Sequence, residues 1–301
     1  MERLASVLLS SLLLAGLYAT MSYGLAVIYG VMRIINLAHA GLMMLAAYVT
    51  LTLNTRFGLD PFLSLLVVAP LFFGLGVVLD LTLIRRLPRG GTGPSMQSLL
   101  LLFGLWLVLQ NLAYVVWGGD TQSILTPYTM SSVPLLGERY GVPLLLVFAV
   151  SLLSLVGLTI VLRRTFLGKA IRAVTQNRDA ALLSGVNAGR ISAVAFGLGT
   201  AFAAIAGTML STLYAFTPDF GRSLLLKAFC IIVLGGMESF TGVAIGALVL
   251  ALIENLAAAY TTIPTSFQDA ISFSLLVLVL VFAPNGLPAL FRGFSRRAVA
   301  R

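Results

Sequence analysis

Residues 140–162 read YGVPLLLVFAVSLLSLVGLTIVL, and residues 163–179 read RRTFLGKAIRAVTQNRD. The first stretch holds no Asp, Glu, Lys or Arg and exceeds the roughly 20 apolar residues a helix needs to cross a hydrocarbon core. The second carries Arg163, Arg164, Lys169, Arg172 and Arg178 against the single acid Asp179, and follows with no linker. An apolar span that runs straight into a basic loop marks a membrane crossing whose loop faces the cytoplasm.

The same alternation extends in both directions. Residues 4–32, 34–55, 61–79, 90–119, 191–218 and 270–291 are also free of formal charge. The 301-residue chain is 59% hydrophobic and 10% charged, where a soluble domain carries about 25% charged residues. These runs mix Leu, Ala, Gly and Val without strict alternation, which favours helices over an outer-membrane barrel. The expected fold is all-α: one polytopic transmembrane domain over residues 1–301, with about eight or nine crossings and some broken helices.

The net charge of +9 is placed rather than spread. Arg85, Arg86 and Arg89, then Arg163, Arg164, Lys169, Arg172, Arg178 and Arg190, then Arg292, Arg296, Arg297 and Arg301 form three clusters beside apolar segments. That placement reads as positive-inside orientation, not as a nucleic-acid surface. It puts the N-terminus outside, residues 163–190 in the cytoplasm and the polar loop 118–142, with its Gly118-Gly119-Asp120 turn, on the outer face. Met1-Glu2-Arg3 opens a run too long for a cleaved signal sequence, so it is expected to be a retained first span.

Catalytic motifs do not emerge. Cys230 and His39 are single residues of their kinds, which leaves no thiolate or histidine cluster for a metal. There is neither a Walker A sequence nor a Gly-x-Ser-x-Gly elbow. In the less regular region after residue 218, Lys227, Glu238 and Glu254 interrupt apolar sequence, and Gly235-Gly236 breaks a short helix. An unpaired charge at membrane depth is costly, so Lys227 and Glu254 are expected to pair. Tyr18, Ser22 and Tyr29 share one helix face, and Asn36 and His39 lie three apart near a helix end. These five are candidates for a translocation path, with bonding between helices and a structural break as the alternatives. Gly199, Ala203 and Gly207, like Gly242 and Gly246, recur at the interval that lets helix backbones approach.

Within the basic loop, Phe166, Lys169 or Ala170, Ala173 or Val174, and Gln176 or Asn177 recur at helical spacing. Asn177 or Asp179 can cap a second short helix through Leu182 and Leu183, which Gly185 would end. Two short amphipathic helices along the cytoplasmic surface suit either anionic lipid headgroups or a cytoplasmic partner.

Residues 168–187, GKAIRAVTQNRDAALLSGVN, resemble the coupling segment of permeases in the branched-chain amino-acid (LIV-type) ABC importer family. YGVMRIINLAH at 29–39, LKAF at 226–229 with VLGG at 233–236, and PNGL at 284–287 resemble three further motifs of that family, in order along nearly the whole chain. The chain departs from the family's pattern at Ala40, Met237-Glu238-Ser239 and Ala283.

The resemblance implies an inner-membrane, non-enzymatic transport subunit that binds no cofactor. It would work beside a second homologous permease, a different chain or a second copy, with two cytoplasmic ATP-binding subunits below and a periplasmic substrate-binding protein above. Branched-chain or other hydrophobic amino acids are the implied cargo; urea, short amides or aromatic acids are the alternative within the family. By resemblance, Phe166, Gly168, Lys169, Ile171, Arg172, Val174, Gln176, Asn177, Arg178, Asp179, Leu182 and Gly185 would couple to the ATPase. Ile171, Val174 and Leu182 would supply the buried contact, with Gly168 and Gly185 as the bends. A secondary transporter is the reading from another class, and it would need a coupling-ion site that the sequence does not offer.

Overall fold

The computed structural model describes residues 2–87, 95–135, 137–236, 239–260 and 268–282. Arg89, Glu238, the 284–287 motif and the basic cluster from Arg292 to Arg301 lie outside the described residues. Among the described residues eleven α-helices follow in order: α1 (Glu2–Met32), α2 (His39–Phe57), α3 (Pro61–Thr82), α4 (Met96–Trp117), α5 (Val142–Arg164), α6 (Phe166–Gln176), α7 (Arg178–Leu183), α8 (Ala188–Leu213), α9 (Gly221–Gly235), α10 (Phe240–Tyr260) and α11 (Gln268–Phe282). A two-stranded antiparallel hairpin, β1 (Ser132–Leu135) and β2 (Glu138–Gly141), pairs Val133 with Tyr140 ahead of α5.

Local chemistry sets the boundaries. Gly58 takes the left-handed conformation, φ 62°, that closes α2, and its N–H reaches back to the carbonyls of Asn54 and Leu53. Asp60 then caps α3 by accepting from the Phe62 N–H at 2.8 Å, with Pro61 in the first turn where its missing N–H is harmless. Ser95 caps α4 in the same way.

By length and composition, α1, α3, α4, α5, α8 and α10 can each cross a membrane. The other three expected crossings differ. At 15 residues, α9 is short: about 22 Å at 1.5 Å per residue, against a hydrocarbon core of about 30 Å, and α11 is described only over Gln268–Phe282. The third, α2, is long enough but less apolar, and it is walled by protein: His39, Met43, Met44, Ala46, Ala47 and Tyr48 are fully buried. A helix that meets protein on all sides does not need a lipid-compatible surface. This second crossing was expected from residue 34. Its helix begins at His39 instead, because residues 33–38 form a non-helical link in which Arg33 has a positive φ of 55°.

At the centre stands α8, packed against α1, α2 and α3. Small residues make these contacts possible. A Cβ on Gly199 would lie 2.7 Å from the Gly24 carbonyl oxygen of α1, and one on Gly207 would overlap the Met43 backbone of α2. Thr200 Oγ1 donates across to the Phe72 carbonyl of α3 at 2.8 Å. Thr50 and Thr208 join α2 to α8 by a buried hydroxyl pair at 2.7 Å. The small-residue spacing therefore serves packing within one bundle.

The two ends differ in character. At one, Arg85, Arg86, Arg163 and Arg164 close α3 and α5 beside α6 and α7. At the other, residues 118–131 and the hairpin cover the helix ends. Gln122 and Phe216 exchange backbone hydrogen bonds there, and the Tyr48 ring packs on Trp117 and Phe216. Tyr128 donates to Asp60 Oδ2 at 2.6 Å, and partial burial raises its phenol pKa above the ordinary value.

Candidate functional site

Helices α6 and α7 form from local signals. Thr165 Oγ1 accepts from the Gly168 N–H at 3.1 Å and starts α6; Asn177 Oδ1 accepts from the Ala180 N–H at 3.0 Å and starts α7. Gly185, with φ 80°, follows the end of α7. Gly168 is not a bend. It sits inside α6, buried, where a side chain would collide with the carbonyl oxygens of Val161 and Leu162 on α5. The Arg172 guanidinium bonds the Leu162 carbonyl and adds a second tie between the same helices.

The apolar face of α6 points into the bundle. Ile171 and Val174 are buried with Val27 and Val31 of α1, Leu158 and Leu162 of α5, and Ala188 of α8. Ile171 and Val174 therefore do not supply an outward contact surface, because their own bundle covers them. What α6 and α7 expose is Phe166 at 82%, Leu182 at 49% and Leu183 at 91%, among the exposed polar residues Lys169, Arg172, Gln176, Asn177 and Asp179. Arg178 is half-buried. The sequence reading placed Leu183 in the second short helix but not among the contact residues; it is an apolar residue next to the helix-ending Ser184-Gly185.

A second cluster gathers side chains from four helices around one carboxylate. Glu254 of α10 is 2% exposed. Its Oε2 accepts from the Tyr18 hydroxyl of α1 at 2.5 Å, and its Oε1 from Ser272 Oγ of α11 at 2.6 Å. Lys227 Nζ of α9 lies 3.1 Å from Oε1 and 5.7 Å from the centre of the Tyr18 ring. Three donors hold the charged form of a buried carboxylate that would be costly alone. Tyr18 and Ser272 were not foreseen in this cluster.

The remaining path candidates occupy the seam between α1 and α2. Ser22 is fully buried and donates to its own helix at the Tyr18 carbonyl, 2.8 Å away. Tyr29 is half-buried one residue from Gly30, which faces Thr175 of α6. His39 Nε2 donates to the Met21 carbonyl at 2.9 Å. Met21 lies 11 residues before the end of α1, so α2 begins roughly 16 Å back along that helix. Asn36, 1% exposed, lies in the non-helical link that makes this return. Asp80, fully buried in α3, is a charge within a span that the sequence reading did not weigh, although no other acid lies between Asp60 and Asp120.

Six helices long and apolar enough to cross a membrane, an ordered amphipathic pair at the basic end and a buried ion pair fit the class that the family match shows, a permease of the inner membrane. The family described as branched-chain amino acid transport system, permease component, matches residues 7–280, and the chain belongs to it. Its members transport rather than catalyse.

The chain is similar to the high-affinity branched-chain amino acid transport system permease protein LivH of Salmonella typhimurium, 31% identical and covering 91% of this chain and 92% of that one. It is also similar to the permease protein BraD of the corresponding system in Pseudomonas aeruginosa, at 31% over 93% and 94%. The probable LivH of Methanocaldococcus jannaschii is 26% identical over 93% and 91%. No solved structure matches the chain.

Proposed function

We propose that this chain is the pore-forming subunit of an ATP-driven importer that moves branched-chain or other hydrophobic amino acids across the inner membrane. The observation that carries the reading is similarity over more than nine-tenths of the chain to permeases named for that cargo. Two cytoplasmic ATP-binding subunits, a second homologous permease and a periplasmic substrate-binding protein complete the assembly.

Residues 163–190 form the cytoplasmic coupling element and 118–142 the periplasmic loop of one domain spanning 1–301. Exposed Phe166, Leu182 and Leu183 offer apolar anchors to an ATPase cleft, ringed by Lys169, Arg172, Gln176, Asn177 and Asp179. The buried side of α6 carries ATPase movement into α1, α5 and α8 through Ile171 and Val174. The translocation path follows the α1 face of Tyr18, Ser22 and Tyr29 to the break at Asn36 and His39. Broken helices at membrane depth belong where they are walled by protein or line a path, and this return fits that rule.

The test is to isolate the tagged wild-type chain and the Phe166→Glu variant from the native host in mild detergent. Phe166 is so exposed that the substitution leaves the bundle intact. Recovery of an ATPase and a second permease with wild type, and loss of the ATPase in the variant, supports the reading. Recovery of the chain alone, with uptake driven by an ion gradient in liposomes, overturns it in favour of a secondary transporter.

A further inference from the structure

Residues 214–220 follow the outer end of α8 and turn back into the bundle before α9 begins. A Cβ on Gly221, the first residue of α9, would lie 2.6 Å from the Ala40 carbonyl oxygen, in the first turn of α2. Gly41, the next residue of α2, rests on α4: a Cβ there would lie 3.2 Å from the Leu109 side chain. Leu109 precedes Trp117, the last residue of α4, by about 12 Å of helix, so α9 starts that far below the outer end of α4. Asp219 lies on the descent. Both of its carboxylate oxygens accept from α4, one from the Gln110 amide and the other from the Tyr114 hydroxyl. Asp219 and Arg222 are nevertheless exposed, and Arg222 makes no ion pair among the described residues.

Neighbouring helices expose a different chemistry over the same depth. Below its outer end α1 exposes Leu4, Leu8 and Leu12, and α3 exposes Leu63, Leu66, Val67 and Leu71. On α4 itself Val108, Leu112 and Val115 form an exposed apolar stripe, about 200° around the helix from Gln110 and Tyr114. Those stripes suit lipid. An exposed aspartate beside an unpaired arginine does not, because charge within a span belongs on a surface that water or protein covers. A long arginine can stretch to the headgroups, but a short aspartate tied to α4 cannot.

We propose that Gln110, Tyr114, Asp219, Arg222 and Ser223 line a water-filled vestibule at the outer entrance of the translocation path. Because this face lies on the outside of the bundle, the far wall of the vestibule is another protein chain, the second permease; lipid there would strand both charges. The proposal rests on the importer reading and places the solute's point of entry. One acid and one base give this entrance no net charge, which suits a zwitterion better than a cation or an anion.

Cys230 is the chain's single cysteine, so Cys230→Ser provides a parent into which single cysteines can be placed. Arg222→Cys and Ser223→Cys probe the vestibule, Val108→Cys and Leu66→Cys the apolar stripes, and Asp120→Cys the exposed outer loop. Each intact complex is reconstituted in nanodiscs and treated with a sulfonated, membrane-impermeant maleimide, without nucleotide and after trapping with ATP and vanadate. Mass spectrometry of the substituted peptide gives the rate, which depends on a hydrated thiolate.

In at least one nucleotide state the cysteines at 222 and 223 are expected to react within about tenfold of the one at 120, and those at 108 and 66 at least about 100-fold more slowly. Labelling at 223 is then expected to cut leucine uptake, measured with binding protein, by about tenfold or more. Reaction at 222 and 223 as slow as at 108 in both states, equally fast reaction at 108 and 66, or unchanged uptake after labelling at 223 overturns the proposal. The unlabelled Cys230→Ser parent separates the two readings. Uptake by the parent together with any of those results rejects the vestibule and leaves the importer reading standing, whereas absence of uptake for every branched-chain amino acid rejects both.

Discussion

Gly168 of α6 rests directly against the Leu162 carbonyl of α5, leaving no room for a side chain. The neighbour is backbone, so it cannot rotate aside, and the Arg172 guanidinium bonds the same carbonyl. Gly168→Ala is therefore expected to lift α6 off the bundle, at about 1–3 kcal/mol by analogy with overpacked cores. The measurement is the ratio of uptake to ATP hydrolysis in the reconstituted complex, together with thermal stability. A variant with normal stability and normal coupling removes this tie from the account.

The two faces of the helix pair should separate in mutagenesis. Ile171→Ala removes a side chain 1% exposed and is expected to destabilise the chain by about 2–5 kcal/mol. Leu183→Ser removes one that is 91% exposed and should leave stability within about 0.5 kcal/mol while weakening ATPase recovery. Thermal unfolding and co-purification of both variants read the two effects independently. Loss of the ATPase in Ile171→Ala at unchanged stability places the docking face on the wrong side.

These two residues also show what the sequence made legible. The crossings could be placed because charges are excluded from long apolar runs, and the helix pair because Asn177 and Gly185 are strong local signals. Periodicity alone could not say whether the apolar stripe of α6 faced its own bundle or a partner, so Ile171 and Val174 were assigned outward. A glycine inside a helix looks like a bend until the approach of α5 explains it. The link at 33–38 broke the second crossing because no run of hydropathy reveals where a helix starts inside protein. Lys227 and Glu254 could be matched because a buried charge demands a partner. Tyr18 and Ser272 could not, because hydroxyls in membrane helices bond as readily to their own backbone. The short strands around Pro134 read only as loop.

At the opposite end, Asp60 joins two elements: one oxygen caps α3 and the other accepts from Tyr128. The phenol pKa is raised above 10.0, so this bond contributes fully below pH 10 and is lost as pH rises through the raised value. Limited proteolysis of the loop at residues 118–131 should be flat from pH 7 to about pH 10 and increase above it. Tyr128→Phe should show faster cleavage throughout, with a smaller additional rise. Equal cleavage of both proteins across the range means that the Asp60 contact does not order the loop.

Around Glu254, the order in which charges are removed should matter more than their number. Lys227→Met leaves a carboxylate sealed among α1, α9, α10 and α11 with the hydroxyls of Tyr18 and Ser272 as its donors among the described residues, and breaking a buried pair this way destabilises by about 3–5 kcal/mol. Those two donors should hold the loss towards the lower end. Adding Glu254→Gln removes the stranded charge and is expected to recover about half of the stability, since a neutral amide still accepts from Tyr18. Tyr18→Phe in the wild-type background should cost about 1–2 kcal/mol, and more when combined with Lys227→Met than the two losses summed, because each substitution removes the other's reserve. Thermal unfolding of the purified complex across these variants measures the coupling. Strict additivity, or a double variant no more stable than Lys227→Met, shows that the four side chains do not act as one network and that Lys227 is held by the surrounding packing rather than by Glu254.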